Sequence, residues 1–569
     1  MEQMFKAAQE IFKNRDGFIL VGLTGRSGSG CSTVANILTS SFEDINLPQN
    51  CHQGSFADRD RKKNIIYNFA KANWKSFFKI KVSDIITTFV LECSYEEFSN
   101  YIKEMFGKEI SGIREEYLAY YEMNKCLNPV LSEDYRRANK DYIFKYIKED
   151  LKVFAKKLKG CLGDRDEGQY TSIYQEIGNN IRKYGVATPQ KEINVENIYA
   201  LAHRINKLIK VLRKYNAAMM KNSYFVIDAF RNPFEALFFQ ERYSAFYLFA
   251  IRCTDEDRIE RLTNIYNFSR AKIVKIDERE NPKESVLKNM NSFLSQDIAT
   301  CIQLADIHIA NHGQHTNKNF NDLKEQIVRY ISLIQHPGLI NPSRNEKVMQ
   351  IAYTAKLNSG CLSRKVGAVV TNSSGIPKAI GWNSSPEGQT SCLLRSAFAL
   401  LSHCDDFAYS DYENTDVFIL GTANNFVTKL DVSFFEHGLN CSFCFKDFQN
   451  LKEKKSNQVH NRALHAEENA FLQVAKFGGE GIHGGKLYTT ASPCDSCSRK
   501  AYQLGIKEIY YIDPYPGIAT SHVLSAGSSR PHLILFCGAI GQAYHKLYDS
   551  IIPYKDELYS YLPADFFKK

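Results

Sequence analysis

Two kinds of hydrophobic periodicity alternate along the chain. Runs that are apolar at nearly every position, FILVGLTG (18–25), SYFVIDAF (223–230), SAFYLFAIRC (244–253) and LADIHIANHG (304–313), have strand length and predict a parallel sheet covered on both faces. Between them, residues 94–220 change to long charged stretches of helical period, such as EDLKVFAKKLKG and RINKLIKVLRKYN, and predict a helical insertion. In the second of these Ile205, Leu208, Ile209 and Leu212 share one face, with Arg204, Lys207, Arg213 and Lys214 around it, as in an amphipathic helix with a solvated side.

The run IQHPGLINPSRNEK (334–347), with Pro337, Gly338 and Pro342, predicts a boundary between a first domain over 1–336 and a second over 343–569. After it come a helix (NEKVMQIAYTAKLN), a strand (KVGAVVTNSSG) and a strand ending in GWN. A long irregular stretch over 384–461 follows, then HAEENAFLQVAKFG as helix, GKLYTTAS as strand, CDSCSRKAYQLG as helix and EIYYIDPY as strand. The expected fold class is α/β: an N-terminal parallel-sheet domain with its insertion, then a three-layer α/β/α domain.

Composition narrows the class. A chain of 569 residues with 44% hydrophobic, 24% charged and 12% aromatic residues can bury more than one core and is not of disordered type. The N-terminus lacks the continuous apolar core of a secretory signal, and the longest apolar runs stop at strand length, so a cytoplasmic protein without membrane attachment is expected. Fifteen cysteines in such a chain favour free thiols and metal ligands over a disulfide framework. The net charge of +9 suits phosphorylated substrates and RNA equally.

The candidate chemistry lies in the second domain. His465 and Glu467 open one helix, and Cys494 and Cys497, three residues apart behind Pro493, open the next. One histidine and two thiolates leave the fourth position of a tetrahedral Zn²⁺ to water, as a catalytic zinc requires. Glu467 is then the acid/base that moves protons between water, the ring and the leaving amine. H-x-E…P-C-x-x-C is the known signature of zinc nucleobase deaminases. A second, structural zinc could staple the irregular stretch through Cys441 and Cys444, with Cys392, His403, Cys404, His437 and His460 as further donors; the competing reading is plain burial of the cysteines.

Through SGCLSRKVGAVV (359–370), GWN (381–383), HAEENA (465–470) and SPCDSC (492–497) the second half resembles the deoxycytidylate deaminase branch of the zinc cytidine deaminases. The resemblance implies that Asn383 holds the sugar, that the Ala466 backbone reads the base, and that Arg364 and Lys365 lie near phosphate. The layout of the whole chain resembles bacterial anti-phage deaminases of deoxycytidine nucleotides, which implies depletion of cytosine deoxynucleotides during infection and suggests a regulatory RNA. A homo-oligomer is expected.

Near the N-terminus, Gly25, Arg26, Ser27, Gly28, Ser29, Gly30, Cys31, Ser32 and Thr33 follow the spacing of a phosphate-binding P-loop, with a strand before and a helix after. Cys31 stands where the loop lysine belongs. The loop amides can still hold phosphate, and Ser32 with Asp228 can support Mg²⁺. VIDAFRNPFEA, Arg258 and Arg261 resemble nucleoside monophosphate kinase or dephospho-CoA kinase elements, and Arg26 or one of these arginines is a candidate replacement for the lysine. Efficient phosphoryl transfer is not expected; a regulatory or assembly role is. The functional expectation is therefore a zinc-dependent deaminase of dCMP or dCTP with a nucleotide-binding N-terminal module. The alternatives are a polynucleotide cytosine deaminase and a nucleotide-sensing regulator with a structural zinc.

Overall fold

A computed structural model of the chain describes residues 10, 12, 15–48, 57–127, 139–163, 167–280, 294–312, 320–405, 407–478, 481–514, 519–562 and 566. Gly313, Tyr515, and residues 128–138 and 164–166 of the predicted insertion lie outside them. The chain divides into two compact units, Met1–Asn341 with Gln542–Lys569, and Pro342–Gly541.

In the first unit, strands β1 (Phe18–Thr24), β2 (Phe78–Lys81), β3 (Ser223–Phe230), β4 (Phe246–Arg252) and β5 (Ile307–Ala310) pair in the order β5-β4-β1-β3-β2, all parallel. Strand β2 was not expected: FKIK is short, half-polar and at the sheet edge, where burial imposes no continuous apolar run. Helix α1 (Cys31–Thr39) follows the glycine loop. Helix α2 (Val82–Val90) precedes the insertion, which contributes α3 (Leu151–Gly163), α4 (Glu167–Tyr184) and α5 (Ala200–Ala218); apolar residues of all four join one core with Leu20, Phe225, Ile227 and Leu248 of the sheet. Ile205, Leu208, Ile209 and Leu212 of α5 are buried, as their spacing predicts. Its cations are not all solvated, however. Arg204 lies 4.0 Å from the ring centre of Phe89 and pairs with Glu92, and Arg213 lies 4.0 Å from that of Phe18. Beyond β4, α6 (Asp255–Asn264) and α7 (Arg270–Glu280) share a small apolar cluster of Leu262, Phe268, Ile273 and Ile276.

The C-terminal tail, expected with the second domain, belongs to this first unit. After α8 (Asn321–Gln335), the Gly338 amide donates to Leu547 O (2.9 Å), His336 meets Glu557 (2.9 Å) and Arg15 donates to Lys546 O (2.9 Å). The reason is lack of local signal: the tail is amphipathic helix of ordinary composition, and nothing in it specifies which core it covers.

The second unit is a mixed sheet in the order β10-β9-β8-β6-β7, made of β6 (Gly367–Thr371), β7 (Pro377–Trp382), β8 (Lys486–Ala491), β9 (Glu508–Asp513) and β10 (His532–Leu535). β6 is antiparallel to β7 and β8; β9 is parallel to β8 and β10. Strand alternation divides its side chains between two cores. Val369, Tyr488 and Tyr510 pack with Val348, Met349 and Ala352 of α9 (Arg344–Ala355). Ala368, Val370 and Leu487 pack with Ala466 and Ala470 of α10 (Ala466–Phe477) and Ala501 of α11 (Asp495–Gln503). Two glycines allow the close approach: a Cβ on Gly381 would stand 2.2 Å from Ala466 O, and one on Gly367 2.0 Å from Ala352 O.

Candidate active site

Helices α10 and α11 begin side by side, and their first residues carry the chemistry. His465 is the N-cap of α10 and Cys494 that of α11, so both side chains project from helix N-termini, where unpaired amides favour negative charge. His465 Nδ1 lies 3.3 Å from Cys494 Sγ and 3.5 Å from Cys497 Sγ. A tetrahedral zinc with ordinary Zn–N and Zn–S bonds requires a nitrogen-to-sulfur separation of about 3.6 Å, so the three donors fit that ion. The Cys497 S–H and His465 together hold the Cys494 thiol down to about 3, in favour of the thiolate; Cys494 and burial push Cys497 up. Cys494 in turn raises His465 above its ordinary value.

Glu467, on the first turn of α10, is 4% exposed, and burial raises its carboxyl above the usual range. Thr489 Oγ1 lies 3.4 Å from its Oε1. Glu468, the next residue, turns outward: it caps its own helix and pairs with Lys500 of α11, which ties the two ligand-bearing helices together. Neither Thr489 nor Lys500 carries a motif of its own, and both are found only because the strand and the helix bring them there.

The remaining predicted residues are gathered unequally. Asn383 is buried at the end of β7; its Oδ1 accepts from Val366 N (2.7 Å) and its Nδ2 donates to Arg364 O (2.8 Å), so it fixes the 364–366 backbone. Ser359 Oγ donates to Asn383 O (2.7 Å). Arg364 is ion-paired with Asp513, a partner the sequence did not suggest, and Lys365 is exposed. Ala466 is fully buried under Gly381.

Among the described residues, His465, Cys494 and Cys497 form the one group of three or more His, Cys, Asp or Glu close enough to share a metal. Of the two readings of Cys441 and Cys444, a second zinc cluster and plain burial, the first does not assemble there. Cys441 is buried among Tyr409, Phe418 and Phe443, while Cys404 is exposed. What fastens the irregular stretch instead is Arg395, 0% exposed, ion-paired with Glu413 and flanked by the rings of Tyr409 (4.9 Å) and Phe443 (4.7 Å).

The glycine loop of the first unit turns through the left-handed region at two positions. Gly28 and Gly30 have φ of 85° and 105°, the region that excludes most side chains. A Cβ on Gly30 would stand 2.2 Å from Asn311 Nδ2, so a side chain there collides with the protein itself. Ser32 Oγ donates to Asp228 Oδ2 (3.0 Å). Desolvation, with Asp228 adding to it, pushes the Cys31 thiol up to about 12, so it stays neutral and brings no charge to the loop. Arg26, one candidate replacement for the lysine, is bound to Asp255 (2.6 Å) and Asp277 (3.0 Å).

A histidine and two cysteines at adjoining helix N-termini, with a buried carboxylate two residues after the histidine, define a zinc-dependent deaminase site. Residues 342–513 match the cytidine and deoxycytidylate deaminase zinc-binding region. The deoxycytidylate deaminase of Enterobacteria phage T2 is 30% identical over 30% of this chain and 79% of its own length, and that of phage T4 is 31% identical over 30% and 77%. The deoxycytidylate deaminase of Schizosaccharomyces pombe is 26% identical over 32% of this chain and 40% of its own. The dCMP deaminase of cyanophage S-TIM5, solved in apo form, matches 35% of this chain and all of its own at 24% identity, with a TM-score of 0.20. The chain belongs to the deoxycytidylate deaminase family.

Proposed function

We propose that this chain deaminates dCMP to dUMP and ammonia, and that dCTP is a second substrate. The observation that carries the reading is the buried Glu467 carboxylate two residues from a three-donor zinc cluster. When bound by His465, Cys494 and Cys497, Zn²⁺ supplies the Lewis acidity that activates water at neutral pH. Glu467 carries the proton work: it accepts one proton from water as the oxygen adds to C4 and passes it to N3 of the cytosine, then takes the second proton from the new C4 hydroxyl and delivers it to the amine, which leaves as ammonia when the C4–N bond breaks. Its burial, which favours the protonated form, suits a group that must hold a proton between these transfers. Asn383 is assigned to the sugar, the Ala466 backbone to the base, and Arg364 and Lys365 to the phosphate side, as the resemblance to deoxycytidylate deaminases implies.

The N-terminal loop is assigned to nucleotide binding without efficient phosphoryl transfer, with Ser32 and Asp228 as the pair that supports Mg²⁺. Its positive-φ glycines support the reading, and the neutral Cys31 argues against a kinase. Depletion of cytosine deoxynucleotides during phage infection is the biological task this layout favours.

The test is to incubate zinc-replete protein with dCMP, dCTP and cytosine-containing single-stranded DNA and to measure ammonia and uracil products. Release from the free nucleotides and none from DNA is expected. Ammonia from DNA alone would transfer the assignment to a polynucleotide deaminase, and none from any substrate would leave the zinc as structural.

A further inference from the structure

A P-loop holds the oxygen atoms of a phosphate with its backbone amides. In this chain one of those amides already has an anion. Ser27 N lies 3.0 Å and 3.3 Å from the two carboxylate oxygens of Glu280, and Ser27 Oγ donates to the same group. Arg231 completes the cradle, with Nη1 2.5 Å from Glu280 Oε1. Glu280 is 0% exposed, although its residue type is almost never fully buried unless paired. It is the last residue of α7, distant in sequence from the loop, so this contact is made by the tertiary fold and not by local turn geometry.

The nearby cations are likewise engaged by acids of the same unit. Arg26 is held by Asp255 and Asp277, Arg258 by Asp277 (2.6 Å), and Lys79 by Asp228 (3.1 Å). Three of these acids, Asp255, Asp277 and Glu280, come from α6 and α7, the helix pair whose apolar cluster is separate from the main core. A body with its own cluster can shift without opening the sheet.

We infer that Glu280 is an internal substitute for phosphate, and that the polyphosphate of a nucleotide reaches the Ser27 amide only by displacing Glu280 together with α7. The inference rests on the nucleotide-binding reading of the loop and adds that the structure described is the self-liganded, closed state. Two carboxylate oxygens on one N–H and one guanidinium reproduce the charge and hydrogen-bonding of a phosphate edge. Phosphate and Glu280 cannot occupy that position together, so their binding is mutually exclusive and the apparent nucleotide affinity is the intrinsic affinity multiplied by the fraction of open molecules.

The test uses full-length wild-type protein and the Glu280→Gln variant, titrated calorimetrically with Mg-ATP and with inorganic triphosphate. Glutamine keeps the volume and removes the charge. With an open state populated at about 1–10%, the variant gains about 10–100-fold in affinity for both probes. Equal or weaker binding by a folded variant overturns the latch and leaves the loop reading in place, whereas no binding by either protein overturns the loop reading and the latch with it. A second measurement needs no variant: saturating Mg-ATP should speed amide exchange in Arg270–Glu280 of the wild type, and unchanged or slower exchange there overturns displacement.

Discussion

Glu467 and the three zinc donors stand within one turn of two helices, yet they should fail differently when replaced. Glu467 does not belong to the donor set, so Glu467→Gln should keep its zinc and lose about 10²–10⁴-fold in dCMP turnover, the range of general acid/base contributions. Metal analysis alongside the ammonia assay checks this; turnover near the wild-type rate removes the residue from the mechanism. Cys497→Ala should instead lose zinc and lower the unfolding temperature, because this buried thiol is one of the three proposed donors and lies in the first turn of α11, and site formation is coupled to metal binding. Full zinc occupancy in that variant would break the assignment. Arg364 shows what residue-by-residue reading leaves out: the resemblance implies a place near phosphate, and the fold adds an ion pair with Asp513 at the end of β9 that no motif suggests.

Among the elements, the stretch over 384–461 lacks regular periodicity and depends on a polar nucleus. Arg395→Leu should cost about 3–5 kcal/mol, since it leaves the Glu413 carboxylate buried without its partner. Chemical denaturation of the variant, with Glu413→Gln as its counterpart, measures the loss; an unchanged midpoint in both means that the apolar cluster alone holds the stretch. The junction of β4 and β5 carries a pH dependence. Asp306 accepts the Leu248 amide (2.8 Å), and burial raises its carboxyl from 3.8 to about 6. A raised acid favours its protonated form in the folded state, so its ionisation penalty is absent below about pH 4, accumulates as pH rises toward 6 and is complete above that. Asp306→Asn should therefore stabilise the first unit at pH 8 by on the order of 2 kcal/mol and hardly at pH 4. Thermal melts at the two pH values check this, and a gain independent of pH would contradict it.

For the molecule as a whole, the two units are not consecutive in sequence. Residues 542–569 return to the first unit, where Leu547 is fully buried and its carbonyl accepts from Gly338. Ending the chain at Gly541 should lower the melting temperature of the first unit by about 5 °C or more, given the degrees lost per kcal/mol in a unit of this size, while zinc content stays the same. Calorimetry with metal analysis tests both parts, and an unchanged first transition would mean that the tail adds no stability. Among the described residues no helix is long and apolar enough to cross a membrane.

The sequence by itself determined what depends on short range. Apolar runs marked four strands of the first sheet, because parallel strands buried on both faces are built mostly of apolar residues, and H-x-E with P-C-x-x-C marked the candidate metal donors, because helix geometry places residues so spaced on one side of a cleft. Edge strand β2 escaped because half of its surface is polar. Only the tertiary structure decided which distant charges meet: Arg364 with Asp513, Arg395 with Glu413, and Glu280 with the Ser27 amide. Each joins elements that no local pattern relates, and a buried charge takes whichever opposite charge or hydrogen-bond donor the packing of those elements brings to it.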